Sequence, residues 1–166
     1  MLYLDAVYSG TLGLLKEVMR VPDLHDFNLA GGTALALQIG HRLSVDLDFF
    51  GAVGFNADEI LASIKTIEGI RLLSVQDVGA MKLAAIAGRG KKRDFYDIYF
   101  LLEYFSLKEL INAYNNKYSD GSEFMVAKSL VYFEDAEMDE EPVLLQSIEW
   151  SVVKEKIRNE VYRCYR

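Results

Sequence analysis

At 166 residues and 51% hydrophobic, the chain is long enough to bury one proper core, and its net charge of −7 counts against a nucleic-acid binder that works by overall attraction, which needs clustered Lys and Arg. No run approaches the roughly 20 uninterrupted apolar residues of a membrane span, and the N-terminus lacks a charged start leading into an apolar stretch, so a cytoplasmic chain with no membrane partner is expected. A single cysteine, Cys164, excludes an internal disulfide framework, and with only His25 and His41 beside it the chain falls short of a usual structural zinc set.

Apolar residues at helical spacing, Val7, Leu12, Leu15, Val18 and Met19, predict a first helix within 5–20 that closes before Pro22. The run "DFNLAGG" predicts a strand turning at Gly31 and Gly32, and "TALALQIGH" a helix that breaks at Gly40. A second strand is expected in "LSVDLDFF". Asn56 with Glu59 has the spacing of a capping box and predicts a helix from 56 to about Glu68. "IRLLS" reads as a short strand, and Ser74 with Asp77 starts a helix through "VQDVGAMKLAAIAGR" that stops at Gly88 or Gly90. The next helix, in "KRDFYDIYFLLEYF", carries Phe95, Ile98, Tyr99 and Leu102 on one stripe, and Ser106 with Glu109 starts another. "EFMVAKSLVYF" and "SVVKEKIRNEVYR" continue the helical pattern on either side of an acidic run, "EDAEMDEE" at 134–141. That run, like the basic "RGKKRD" at 89–94, reads as a solvated connector. The expected class is α+β, with a small mixed sheet and its helices in residues 1–75 and an all-helical region packing on that core in 76–166.

Two aspartates inside the second predicted strand are costly there unless something pairs with them. In extended chain, Ser44, Asp46 and Asp48 share one face while Val45, Leu47 and Phe49 point to the other. Carboxylates two residues apart, with Cα atoms about 6–7 Å from each other, can converge on one hard cation such as Mg²⁺; the ordinary alternative is a wet strand end. Gly31 and Gly32 close a strand and open a helix, where unsatisfied N–H groups and the helix dipole favour phosphate and Thr33 can offer a hydroxyl. A phosphate-cradling turn followed within a short distance by a carboxylate pair suits a magnesium-bound triphosphate. Further on, Lys82 and Arg89 lie seven apart on one helix face, and Asp94 and Asp97 share a face of the next helix. Each alone has a plain reading: a surface lysine, an arginine at a helix C-terminus, an aspartate at an N-terminus. Together they bracket a basic turn as parts of one polar site.

"GGTALALQIGHRLSVDLDFF" followed by "KLAAIAGRGKKRDFYDIYFLL" resembles the AbiEii/AbiGii toxin family, minimal nucleotidyltransferases of bacterial abortive-infection and toxin–antitoxin systems. The family pattern of glycine turn, Arg-x-Ser and Asp-x-Asp falls on Gly31, Gly32, Arg42, Ser44, Asp46 and Asp48, and its later pattern falls on Lys82, Arg89, Asp94 and Asp97. The resemblance implies a nucleotidyltransferase-like fold that moves a nucleoside monophosphate from a nucleoside triphosphate to a tRNA 3′ end or a protein hydroxyl, and a cognate antitoxin partner. On that reading Asp46 and Asp48 hold Mg²⁺. Gly31, Gly32, Thr33, Arg42 and Ser44 bind the nucleotide, Lys82 and Arg89 neutralise the leaving pyrophosphate, and Asp97 or Asp94 orients or deprotonates the acceptor. One departure stands out. Relatives carry further strands before the lysine helix, one with a third carboxylate, whereas here the chain is shortened at about 69–75, and Asp58, Glu59, Glu68 and Asp77 are the acids left in the interval. A sheet that has lost strands would need a partner, for instance across a homodimer. The alternative reading is a catalytically inactive remnant that binds nucleotide or antitoxin.

Overall fold

A computed structural model describes residues 1–51 and 63–166 and divides the chain into two compact units, Met1–Val78 and Gly79–Arg166. Among the described residues the fold is α+β: four strands form one mixed sheet, and eight helices account for most of the rest.

In the first unit, α1 covers Ser9–Val18, less than the apolar spacing predicted. Leu4–Ala6 form a separate 3-10 turn, and Val7, buried and extended, makes a parallel bridge with Ser44. β1 (Phe27–Ala30) runs into α2 (Gly31–Ile39), which ends as expected at Gly40, whose φ of 64° is the left-handed conformation that glycine adopts without strain. β2 is only Asp48–Gly51, paired antiparallel to β1 with Ala30 opposite Asp48, so the strand expected over "LSVDLDFF" is half as long. The first half makes its bonds elsewhere: the Ser44 N–H donates to the Ala6 carbonyl at 2.9 Å, the Arg42 guanidinium donates to the Leu43 carbonyl at 3.0 Å and the Thr33 hydroxyl donates to the Asp46 carbonyl.

The helix expected to run to Glu68 is corrected in its described part: Ile64–Ile67 is a strand, β3, in a hairpin with β4 (Ile70–Leu73). Glu68 and Gly69, both at positive φ, make the two-residue turn, and the β-branched Ile64, Thr66 and Ile67 favour extended chain. Asn56 and Glu59, the proposed cap, lie outside the described residues. The sheet order is β2-β1-β4-β3, with β1 and β4 parallel and both other pairs antiparallel. Leu29, Ile70, Leu72 and Leu73 from the central strands join Leu35, Leu37 and Leu15 in the core.

Arg71, on β4, organises this unit. Its Nε donates to the Phe27 carbonyl at 3.2 Å, Nη1 to Met19 at 3.1 Å and Nη2 to Leu24 at 3.1 Å, tying the end of α1 and the approach to β1 onto the sheet. Arg71→Met should lower the unfolding free energy by about 2–4 kcal/mol, because part-buried carbonyls lose charged donors. Urea denaturation followed by circular dichroism tests this, and a loss under about 0.5 kcal/mol would show the guanidinium to be dispensable.

α3 (Val75–Gly88) starts in the first unit, where the Ser74 hydroxyl accepts the Asp77 N–H at 3.1 Å, the cap the sequence foretold. The second unit continues with α4 (Lys92–Leu101), α5 (Leu107–Lys117), α6 (Glu123–Leu130), α7 (Glu134–Glu137) and α8 (Trp150–Cys164). The Ser106–Glu109 capping box is complete, and the Ser106 hydroxyl and N–H hold the Glu109 carboxyl below the usual carboxylate range. α4 is the buried centre of the unit: Phe95, Ile98 and Leu101 pack in a core with Leu110, Val126, Leu130, Val153 and Ile157. The acidic run at 134–141 is largely exposed, as expected, but it is more than a connector. It contains α7, and Glu137 accepts both the Trp150 indole N–H at 3.0 Å and the Lys154 ammonium at 2.6 Å. No described helix is long and apolar enough to cross a membrane.

Candidate functional site

The first unit gathers one group of the expected residues at the start of α2. Ala30, at the N-cap, supplies no side-chain cap, so the first N–H groups of α2 present the positive end of the helix without a capping oxygen from that position. Gly31 has φ 64°, and an ideal Cβ there would lie 2.5 Å from Asp48 Oδ2. The carboxylate therefore sits directly against the helix start, where the β1–β2 register places it opposite Ala30. At Gly32 a Cβ would lie 2.5 Å from Arg42 Nη2 and 3.4 Å from Ser44 Oγ. The two glycines let a carboxylate, a guanidinium and a hydroxyl approach one turn of backbone.

Arg42 and Ser44 are buried, while Asp46 and Asp48 are exposed. The desolvation cost that makes aspartate rare in strands is thus avoided: Asp48 opens an edge strand and Asp46 precedes it. Thr33 is buried, and its hydroxyl lies 2.8 Å from Ser44 Oγ besides donating to the Asp46 carbonyl. It is engaged within the protein and pins the 44–46 segment to α2. Among the described residues no group of three or more His, Cys, Asp or Glu side chains could hold a metal. Two exposed carboxylates are nonetheless the donor set that Mg²⁺ uses when phosphate and water oxygens complete its shell, so the residues fit that ion as part of a nucleotide complex.

Gly31→Ala is expected to cost about 1–2 kcal/mol from the left-handed backbone alone and to push the Asp48 carboxylate off the helix start. Gly32→Ala carries no left-handed backbone cost and meets the buried Arg42 guanidinium, so it should cost less, and thermal unfolding of the two variants side by side tests the order.

The second unit brings together the other group. Lys82 Nζ is 2.8 Å from Asp94 Oδ1 and 2.7 Å from Asp97 Oδ2, and Arg89 Nε is 3.1 Å from Asp94 Oδ2. Both aspartates are fully buried and Lys82 is 5% exposed, whereas the Arg89 side chain is 52% exposed. Helical spacing explains the meeting: Lys82 on α3 and Arg89 just past its end are two turns apart, the turn at Gly90 (φ 54°) reverses the chain, and Asp94 and Asp97 occupy the first turns of α4. Two cations and two carboxylates balance in charge, which is what allows Lys82, Asp94 and Asp97 to be buried.

Sequence reasoning passed over the acids that hold the start of α4. Asp139 Oδ2 accepts the Lys92 N–H at 2.9 Å, and the Tyr96 hydroxyl donates to Glu141 at 2.8 Å. Their signal was the acidic run itself, which spacing along the chain could not connect to a helix 47 residues earlier.

A family model described as "Nucleotidyl transferase AbiEii toxin, Type IV TA system" matches residues 13–70 and 66–161. An uncharacterized protein of Aquifex aeolicus is 31% identical over 193 residues, covering 89% of this chain and 92% of its own length. That aligned stretch exceeds the 166 residues of this chain, so it includes gaps. No solved structure matches the chain significantly.

Proposed function

Because the chain belongs to the AbiEii family of nucleotidyl transferase toxins of Type IV toxin–antitoxin systems, we propose that it transfers a nucleoside monophosphate from a nucleoside triphosphate to a hydroxyl of a tRNA or protein acceptor, as the toxin beside a cognate antitoxin. The observation that carries this reading is the convergence of Asp48, Arg42 and Ser44 on Gly31 and Gly32 at the start of α2. An N-terminal helix turn and a guanidinium suit the phosphates, and the exposed carboxylates suit the cation that accompanies them.

Asp46 and Asp48 are the residues that would hold Mg²⁺, which supplies charge neutralisation to the phosphoryl oxygens when bound. Gly31 and Gly32 admit the phosphates to the backbone, Arg42 and Ser44 contact them, and Thr33 keeps the Asp46 backbone in place. The family resemblance also implies Lys82 and Arg89 for the departing pyrophosphate and Asp97, or Asp94, for the acceptor hydroxyl; within the second unit these four groups pair with one another, both carboxylates fully buried. In this chemistry rate comes from positioning and electrostatics more than from covalent steps by the protein. The test is incubation of the protein with Mg²⁺, each α-labelled nucleoside triphosphate in turn, and either total tRNA or a protein extract. Label carried into RNA or protein supports the reading, and no incorporation under any combination overturns it.

One observation favours a second reading, a catalytically inactive module that binds nucleotide or antitoxin. The family match falls into two segments that overlap at 66–70, where the chain is short. The described acids near that point are already used within the fold: Glu68 accepts the Leu2 N–H at 3.1 Å, and Asp77 accepts from Ser63 N–H and from the Ser74 hydroxyl. Both acids are thus committed to backbone and hydroxyl contacts within the fold, which supports the reading that the third carboxylate implied by the resemblance has no counterpart here. Magnesium-dependent nucleotide binding without transfer would establish this second reading.

A further inference from the structure

We propose that Asp139 is a positioning residue for the Lys82–Asp94–Asp97 cluster, capping α4 from 47 residues away and thereby fixing the turn that carries both carboxylates. For its activity readout this rests on the transfer reaction proposed above.

A helix needs oxygen acceptors for the N–H groups of its first turn, and Ser, Thr, Asp or Asn at the N-cap normally supplies one. α4 has Lys91 at that position, which has none to give. Asp139 fills the role from outside: Oδ2 accepts the Lys92 N–H at 2.9 Å, and Oδ1 lies 3.3 Å from Lys91 Nζ. The bond from the Lys92 amide holds the Asp139 carboxyl below the ordinary carboxylate range, with the Lys91 ammonium adding to it. A negative charge here also opposes the positive end of the α4 dipole.

The rest of the acidic segment braces the same stretch. Lys92, 5% exposed, donates from Nζ to the Glu137 carbonyl at 3.3 Å, and one turn on the fully buried Tyr96 donates to Glu141. Asp94 lies two residues past Lys92 and Asp97 one turn beyond it, so small rotations of this first turn move both carboxylates relative to Lys82. Farther along α4, apolar packing by Phe95, Ile98 and Leu101 already holds the helix in place. At its polar start, packing contributes least and the borrowed cap most.

The experiment uses the uniformly ¹⁵N-labelled full chain and compares wild type with Asp139→Ala and Asp139→Asn. Asn still offers a carbonyl oxygen to the Lys92 N–H, so it is the rescue. In Asp139→Ala, amide exchange over residues 92–97 should rise by about tenfold, and the slowly exchanging Lys82 ammonium signal should broaden or vanish. Both should stay near wild type in Asp139→Asn. Where wild type transfers nucleotide, Asp139→Ala should lower kcat, counted per folded protein from the circular-dichroism signal, about tenfold or more while KM for the triphosphate stays within about twofold. A wild-type Lys82 signal and exchange pattern in Asp139→Ala overturns the proposal. Equal loss in Asp139→Asn also overturns it, as does failure of Asp139→Ala to fold, since a cap that only positions leaves the apolar face of α4 intact. If wild type transfers no nucleotide, the reaction reading fails on its own, and the ammonium signal and amide exchange still decide the role of Asp139.

Discussion

Asp48→Asn is expected to abolish nucleotidyl transfer and the magnesium-dependent stabilisation by nucleotide while leaving the fold unchanged. The substitution is nearly isosteric, and Asp48 is exposed at the start of an edge strand, so the protein itself loses little. What disappears is one of two carboxylates able to offset a divalent cation where Gly31 allows close approach. A ligand at about 100 times its dissociation constant contributes roughly 2.7 kcal/mol, and for a domain of this size each kcal/mol moves the midpoint by about 2–4 °C. Wild type with Mg²⁺ and the preferred triphosphate should therefore melt about 5–10 °C higher than without them, and the Asp46→Asn/Asp48→Asn double variant should show no rise. Transfer by Asp48→Asn should fall by about a hundredfold or more, the scale of losing a group that stabilises developing charge. A fully active Asp48→Asn protein sinks the metal assignment. A midpoint rise that depends on the aspartates, in a protein that transfers nothing, points instead to the inactive binding module.

Local signals in the sequence were read correctly where one physical cause dominated. Gly40 ended α2 because a left-handed residue closes a helix, and Ser74 and Ser106 capped α3 and α5 because their hydroxyls reach the N–H three residues on. The reading went astray where distant parts competed for the same backbone. The β-branched Ile64, Thr66 and Ile67 favoured extended chain, but the capping-box pattern eight residues earlier pointed to a helix running through them. The first half of the expected β2 bonds instead with the Ala6 carbonyl, the Thr33 hydroxyl and the Arg42 guanidinium, partners that spacing alone does not aim. The polar site was legible to a similar degree. Helical periodicity placed Lys82 and Arg89 on one face and Asp94 and Asp97 on another, and their short distances follow directly. The acids at 134–141 gave no such clue, since a charge run has no period and its partners lie on another helix.

Lys82→Met should be the most damaging single change in the second unit. It leaves Asp94 and Asp97 fully buried without the ammonium between them, and removing one partner of a buried pair typically costs about 3–5 kcal/mol. The midpoint should drop by about 6–20 °C at 2–4 °C per kcal/mol. Asp94 keeps the Arg89 guanidinium at 3.1 Å. Lys82→Met/Asp97→Asn, which removes the opposite charge together with the ammonium, should recover at least about half of the loss, as neutral replacements of buried ion pairs commonly do. A loss below about 1 kcal/mol for Lys82→Met would show that the cluster is not held by Lys82. The stable double variant also separates two explanations for lost transfer: Lys82→Met alone can fail by unfolding, whereas a folded Lys82→Met/Asp97→Asn protein that binds nucleotide and transfers none has lost the charges themselves.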